Sequence, residues 1–246
     1  MPMADFRIEI AGVVFSVTSL FDSTRDYCKD YLTEKDADHH IDVVRADLVF
    51  EQDMLDEEAR QEGMKRRKFT DPFLERTAIQ RKAAEYLFEQ NVLLVHGSAV
   101  AVDGQGYLFT ANCGTGKSTH TCYWREVFGD RAVMVNDDKP FLRLTPEGVT
   151  LYGAPWSGKH GLHTNVTVPL KGICILERGP ENRIEKISAA EALPMLLHQS
   201  QPPLAEEKAE AFSRLVSRLA DGVPLWRMKC TKDPRAASVA WEAMSK

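Results

Sequence analysis

Lys117, Ser118 and Thr119 follow two glycines, Gly114 and Gly116, just beyond an apolar run that ends in Leu108-Phe109. Tyr123, Trp124, Val127 and Phe128 then recur at helical spacing. Strand, glycine loop, Lys-Ser and helix in this order make a phosphate-binding loop. Glycines allow consecutive backbone N–H groups to point into one concavity, and the N-terminus of the following helix adds partial positive charge. The nucleotide-binding set on this reading is Asn112, Cys113, Gly114, Thr115, Gly116, Lys117, Ser118 and Thr119. Lys117 would reach the terminal phosphates, and Ser118 would offer its hydroxyl to a magnesium ion. The full pattern has a glycine six residues before the lysine, where this chain has Ala111.

A second group with chemistry follows the short apolar run Ala132 to Val135, which ends in Asn136-Asp137-Asp138. Carboxylates at a strand end beside a phosphate loop can hold a metal or take a proton. Strand alternation turns adjacent side chains to opposite faces, so one of Asp137 and Asp138 meets the metal or the acceptor unless the chain bends there. The stretch Tyr152 to His163 is rich in glycine and in anion donors. It reads as a loop over the phosphates or the acceptor, with Lys159 as its main contact and His160 beside it. His39 and His40 lie among Asp36, Asp38 and Asp42 and read as a solvated surface loop.

The elements that must carry these groups can be outlined from pattern. Phe6 to Thr18 alternates as two short strands turning near Ala11-Gly12. Asp22 or Ser23 caps a short helix, and Ile41 to Val44 is a further strand. Asp71-Pro72 opens a helix with Leu74, Ala78, Ala83, Tyr86 and Leu87 facing a core and Arg76 and Arg81 on its solvated side. Val92 to Val95 and Ala99 to Val102 are strands, and Asp103-Gly104-Gln105-Gly106 turns the chain into Tyr107 to Phe109. Downstream come a strand over Val168 to Leu176, a capping box from Ser188 to Glu191, a helix within Leu204 to Leu219, a strand at Leu225 to Met228 and a terminal helix after Asp233-Pro234. We place a small α/β subdomain at 1–70 and the phosphate-loop core, with helical support, at 71–246.

Composition bounds the partners. The chain has 246 residues, 43% of them hydrophobic, enough for a sizeable core. A net charge of −5 argues against general nucleic-acid binding. Its five cysteines show no CxxC spacing, which suits reduced thiols in a cytoplasmic protein. Neither a signal peptide nor a membrane-spanning run is evident. Assembly into a homo-oligomer is compatible with the sequence.

Taken together, three stretches resemble the nucleotide-binding core shared by HPr kinase/phosphorylases and phosphoenolpyruvate carboxykinases. His96-Gly97-Ser98-Ala99 is similar to the histidine segment that precedes the phosphate loop in both families. Cys113 to Thr119 resembles the carboxykinase Ser-Gly-Thr-Gly-Lys-Thr-Thr, and Asn136-Asp137-Asp138 matches the Asp-Asp pair of both. The resemblance implies an α/β fold with the P-loop lodged in a mixed β core and flanked by helices. It implies ATP with magnesium or manganese. By kinase analogy Asp137 is the acid/base near an acceptor hydroxyl and His96 lies beside the transferred phosphate. By carboxykinase analogy His96 and Asp138 are metal ligands. The expected activity is phosphoryl transfer from ATP to a hydroxyl, a serine of a peptide or protein or free serine. A carboxykinase-type reaction on a keto acid and a non-catalytic nucleotide sensor are the alternatives.

Overall fold

The computed structural model describes residues 4–61, 63 and 65–246. Contacts divide the chain into two compact units, Met1–Tyr86 and Leu87–Lys246, whereas the order of expected elements placed the division at residue 70.

In the first unit, β1 (Ala4–Ile10) and β2 (Val13–Ser19) form the expected hairpin. Its two-residue turn puts both Ala11 and Gly12 at positive φ, as a tight hairpin turn demands. A crossover containing α1 (Asp22–Tyr27) returns the chain to β3 (His39–Asp42), which pairs parallel to β2. Neither Asp22 nor Ser23 caps α1; Phe21 is its N-cap residue and makes no side-chain bond there. His39 and His40 therefore lie in a strand and not in a loop, although both are exposed: His40 Nδ1 meets Ser16 Oγ at 2.9 Å and His39 stacks on Tyr86. After α2 (Arg45–Gln61) comes α3 (Asp71–Phe88). The first sixteen residues of α3 (71–86) belong to this unit. The fully buried Glu75 carboxylate accepts from the Leu20 N–H and the Thr24 hydroxyl. Arg76 and Arg81 are not simply solvated. Arg81 is held at 2.6 Å by Glu51 within a group that includes Asp47 and Glu85, and Arg76 covers the Tyr27 ring. A buried carboxylate needs this kind of partner, which periodicity alone does not show.

The second unit is built on one mixed sheet. Its strands are β4 (Val92–Leu94), β5 (Ser98–Val102), β6 (Gln105–Thr110), β7 (Ala132–Asn136), β8 (Phe141–Thr145), β9 (Gly148–Tyr152), β10 (Thr167–Arg178), β11 (Arg183–Lys186) and β12 (Leu225–Cys230). The order is β4-β8-β9-β10-β6-β5-β7, with β12 on β10 and β11 on β12. β10 runs parallel to β6 and β12, and the other pairs are antiparallel. The helices are α4 (Lys117–Phe128), α5 (Ala189–Gln199), α6 (Ala209–Gly222) and α7 (Arg235–Met244).

Both faces of this sheet are covered, so β5 is buried along its whole length. Ala99, Ala101 and Leu108 join one core with Leu196, Phe212 and Leu219 from α5 and α6. Val100, Val102, Tyr107 and Phe109 face the other way, onto Trp124 of α4 and Ala236 and Ala240 of α7. The capping box of α5 forms as expected, with Ser188 Oγ accepting from Glu191 N–H. No helix among the described residues is long and apolar enough to cross a membrane.

α4 is locked to the second core by a buried pair of rings. Trp124 Nε1 donates to His120 Nε2 at 3.1 Å, and the His120 ring lies against Phe109. Burial pushes the His120 pKa down to about 3. The unfolded chain binds this proton below its ordinary value of 6.5, while the folded chain refuses it until about 3. The protective effect is therefore complete above 6.5 and is lost as pH falls through that window, at about 1.4 kcal/mol per pH unit. Replacing His120→Gln, which keeps an acceptor but cannot titrate, should reduce the slope of urea-unfolding free energy across the window by that amount, leaving the share of His96, whose pKa is lowered in the same way.

Candidate functional site

β6 delivers the chain into the glycine loop at the C-terminal end of a parallel pair, the place where open α/β sheets bind ligands. Gly114 (φ 72°) and Gly116 (φ 118°) hold left-handed conformations that a side chain would resist. Ala111 does not: among the described residues the non-glycine positions with positive φ are Ala11, Asn91 and Asp103. A Cβ is thus tolerated where the full motif has its first glycine, and Ala111 is buried in the second core. Gly116 is the N-cap residue of α4 and no side chain caps the helix, which leaves first-turn N–H groups for an anion. Ser118 and Thr119 are exposed in that first turn. Lys117 folds back so that Nζ donates to the Ala111 carbonyl at 3.0 Å. Burial lowers its pKa, an effect opposed by the neighbouring Cys113, Asp138 and Asp137.

The acidic pair is arranged by Asn136. Its amide nitrogen donates to the carbonyls of Ala154 (2.8 Å) and Trp156 (3.0 Å), and its oxygen accepts from the N–H groups of Asp138 (2.9 Å) and Lys139 (2.7 Å). The last two bonds bend the chain immediately after β7, which releases Asp137 and Asp138 from strand alternation. Asp137, 7% exposed, accepts from Ser98 Oγ at 2.7 Å, and Ser98 in turn meets Thr121 Oγ1 at 2.7 Å. This hydroxyl relay ties β5, α4 and the end of β7 together. Asp138 turns to His96, with Oδ1 3.4 Å from Nε2.

His96 occupies the segment joining β4 to β5. Its N–H donates to the Gln199 carbonyl at 2.7 Å, and Gly97 N–H donates to the Asp138 carbonyl at 3.0 Å. Burial pushes the His96 pKa down to about 3, helped by the positive charges of Lys139 and Lys117 and by His198. The imidazole is therefore neutral at pH 7, and its contact with Asp138 is not an ion pair. A neutral ring can donate one hydrogen bond to an oxygen and offer its other nitrogen as an acceptor or metal ligand without adding charge.

The segment 152–164 lies directly against the acidic pair. Asp137 N–H donates to the Leu162 carbonyl (3.0 Å) and Thr164 N–H to the Val135 carbonyl (3.2 Å). Gly158 approaches so closely that an added Cβ would sit 3.3 Å from the Asp138 Cβ. Lys159 and His160 follow on an exposed 3₁₀ turn, Gly158–His160. Thus the structure gathers Lys117, His96, Asp137 and Asp138 and leaves Lys159 and His160 at an exposed tip. Ser98, Thr121 and Lys139 were not singled out from sequence; hydroxyls inside apolar runs carry no distinctive spacing.

Among the described residues no group of three or more His, Cys, Asp or Glu side chains could hold a metal unaided. Magnesium commonly takes one or two carboxylates and completes its shell with phosphate oxygens and water. The oxygen donors present, Asp138 and Ser118, fit that mode.

No protein-family model matches the sequence, and no curated protein matches it. Among solved structures, the HPr(Ser) kinase/phosphatase from Coxiella burnetii aligns with 61% of this chain and 94% of its own, at 13% identity and a TM-score of 0.36.

Removing the Asn136 amide strands two buried carbonyls and two N–H groups at once. Asn136→Ala should therefore cost about 3 kcal/mol or more in urea unfolding. Ser98→Ala, which removes one hydroxyl from the relay, should cost clearly less.

Proposed function

We propose that the second unit binds ATP with a divalent cation and transfers the terminal phosphoryl group to a hydroxyl. One observation carries this reading: the Lys117 ammonium, neutral His96 and two differently oriented carboxylates converge beside an uncapped helix N-terminus and a left-handed glycine loop. Phosphoryl transfer needs positioning and charge stabilisation more than covalent help from the protein, and these groups supply both.

Each residue then has a distinct task. The amides of Asn112 to Gly116 and the first turn of α4 cradle the phosphates, and Lys117 leaves the Ala111 carbonyl to pair with them. Ser118 and Asp138 would hold magnesium, with His96 beside them; when bound, that ion neutralises charge on the phosphate oxygens. Asp137, oriented by Ser98, accepts the proton from the acceptor hydroxyl as the new O–P bond forms and the bond from the terminal phosphorus to the bridging oxygen breaks, releasing ADP. His96 faces the transferred group without adding a charge that would compete with the metal. Lys159 and His160 at the loop tip meet the acceptor, a serine of a peptide or protein or free serine.

Phosphorus NMR of the protein with magnesium, ATP and pools of serine, peptides and keto acids tests this. A new phosphoester signal is expected with a hydroxyl acceptor. A keto-acid product, or binding with no consumption of ATP, would replace the kinase reading. Asp137→Asn should lower transfer by about 10³-fold or more while MgATP still binds, whereas Lys117→Ala should lose both. Full turnover in Asp137→Asn would remove Asp137 from the role of base.

A further inference from the structure

β10 extends beyond the end of β6. Their parallel register sets Ile175 beside Thr110, so continuing step for step brings Arg178 level with Cys113 of the glycine loop. There the Arg178 guanidinium donates to the Gly114 carbonyl at 2.5 Å, across 64 positions of sequence. The backbone at this strand end is firmly held. Arg178 pairs with Cys230 of β12, Gly179 N–H donates to the Cys230 carbonyl at 3.2 Å, and Cys230 Sγ meets the Glu177 carbonyl at 3.5 Å. The neighbouring carboxylate, Glu177, is turned to Arg227 at 3.3 Å. An arginine on a fixed strand thus grips the most conformationally free part of the loop.

The grip has a direction. In a trans peptide the carbonyl and the next N–H point opposite ways, so fixing the Gly114 oxygen on Arg178 also fixes where the Thr115 N–H points. That N–H makes only a long bond, 3.3 Å, to the Asn112 carbonyl. Such a bond is readily exchanged for a phosphate oxygen. Glycine at 114 makes the loop easy to shape and equally easy to lose, because its backbone has the most freedom to surrender.

We propose that Arg178 is the positioning residue of the phosphate loop: by holding the Gly114 carbonyl it presents the loop amides to an oligophosphate in a preset arrangement. This rests on the nucleotide reading above. A rigid donor array meets its ligand without the ordering cost that a loose one incurs. Arginine suits the task because its guanidinium is permanently charged and planar, so it orients a carbonyl where lysine would supply charge alone.

The test compares the unmodified full chain with Arg178→Ala, Arg178→Lys and Lys117→Ala. It measures MgATP binding by calorimetry and hydrogen exchange of the loop amides without ligand. Arg178→Ala should melt like the unmodified protein, exchange its loop amides faster and bind MgATP roughly tenfold more weakly. Arg178→Lys should recover only part of that affinity. MgATP affinity or loop exchange unchanged in Arg178→Ala would overturn the proposal while leaving the nucleotide reading intact. Full recovery in Arg178→Lys would also overturn it, reducing the arginine to a charge. Failure of the unmodified chain to bind MgATP would instead defeat the nucleotide reading, and this role of Arg178 with it.

Discussion

The side-chain amide of Asn136 is the contact on which the arrangement of this site depends. A strand carrying two consecutive carboxylates must send them to opposite faces. Asn136 breaks that rule by accepting from the next two free N–H groups on one side and donating to two carbonyls of the 152–164 segment on the other. All of its hydrogen-bonding capacity is directed to backbone, and it is fully buried. The bend that results lets Asp137 settle on Ser98 and Asp138 on His96. Two carboxylates adjacent in sequence thereby acquire separate surroundings, one tied to hydroxyls and nearly closed from solvent, the other open beside an imidazole. Separate surroundings are what allow neighbouring acids to take different chemical parts.

The electrostatics follow from burial as much as from charge. Lys117 and His96 are both partly withdrawn from water, and withdrawal disfavours the protonated form of each. For the lysine the nearby acidic groups oppose that effect; for the histidine the neighbouring cations add to it. The outcome is a neutral ring placed among lysines and carboxylates. The helix N-terminus at Gly116 contributes a further positive pole without any side chain.

Much of this was legible because the signals were local. Gly114, Gly116 and Lys117 needed only their order between strand and helix, and the turns at Ala11-Gly12 and Asp103-Gly104 needed only their residue types. The hairpin of β8 and β9 and the short β11 went unread. Arg143 interrupts β8, and β11 holds a single apolar residue, Ile184, among charged ones. Arg81 looked like a surface cation because its closest carboxylate partner, Glu51, lies on another helix. His39 and His40 looked like loop residues because a strand's pairing partner is not visible in its own composition. Ala111 looked like a defect in the loop. It is a position whose φ does not require glycine, so alanine is accommodated there without strain.

Gly153 shows where this architecture can and cannot change. A Cβ at that position would lie 1.9 Å from the Thr164 carbonyl oxygen, so the two ends of the segment are pressed together with no room for a methyl group. The same ends are stapled to β7 through the Asn136 amide and the Val135 carbonyl. Only the exposed tip from Lys159 to Gly161, beyond the tightly packed Gly158, escapes this constraint. Lengthening or shortening the chain is therefore tolerable at the tip alone, and diversification of whatever enters from that side would be written in those few positions while the stem stays invariant.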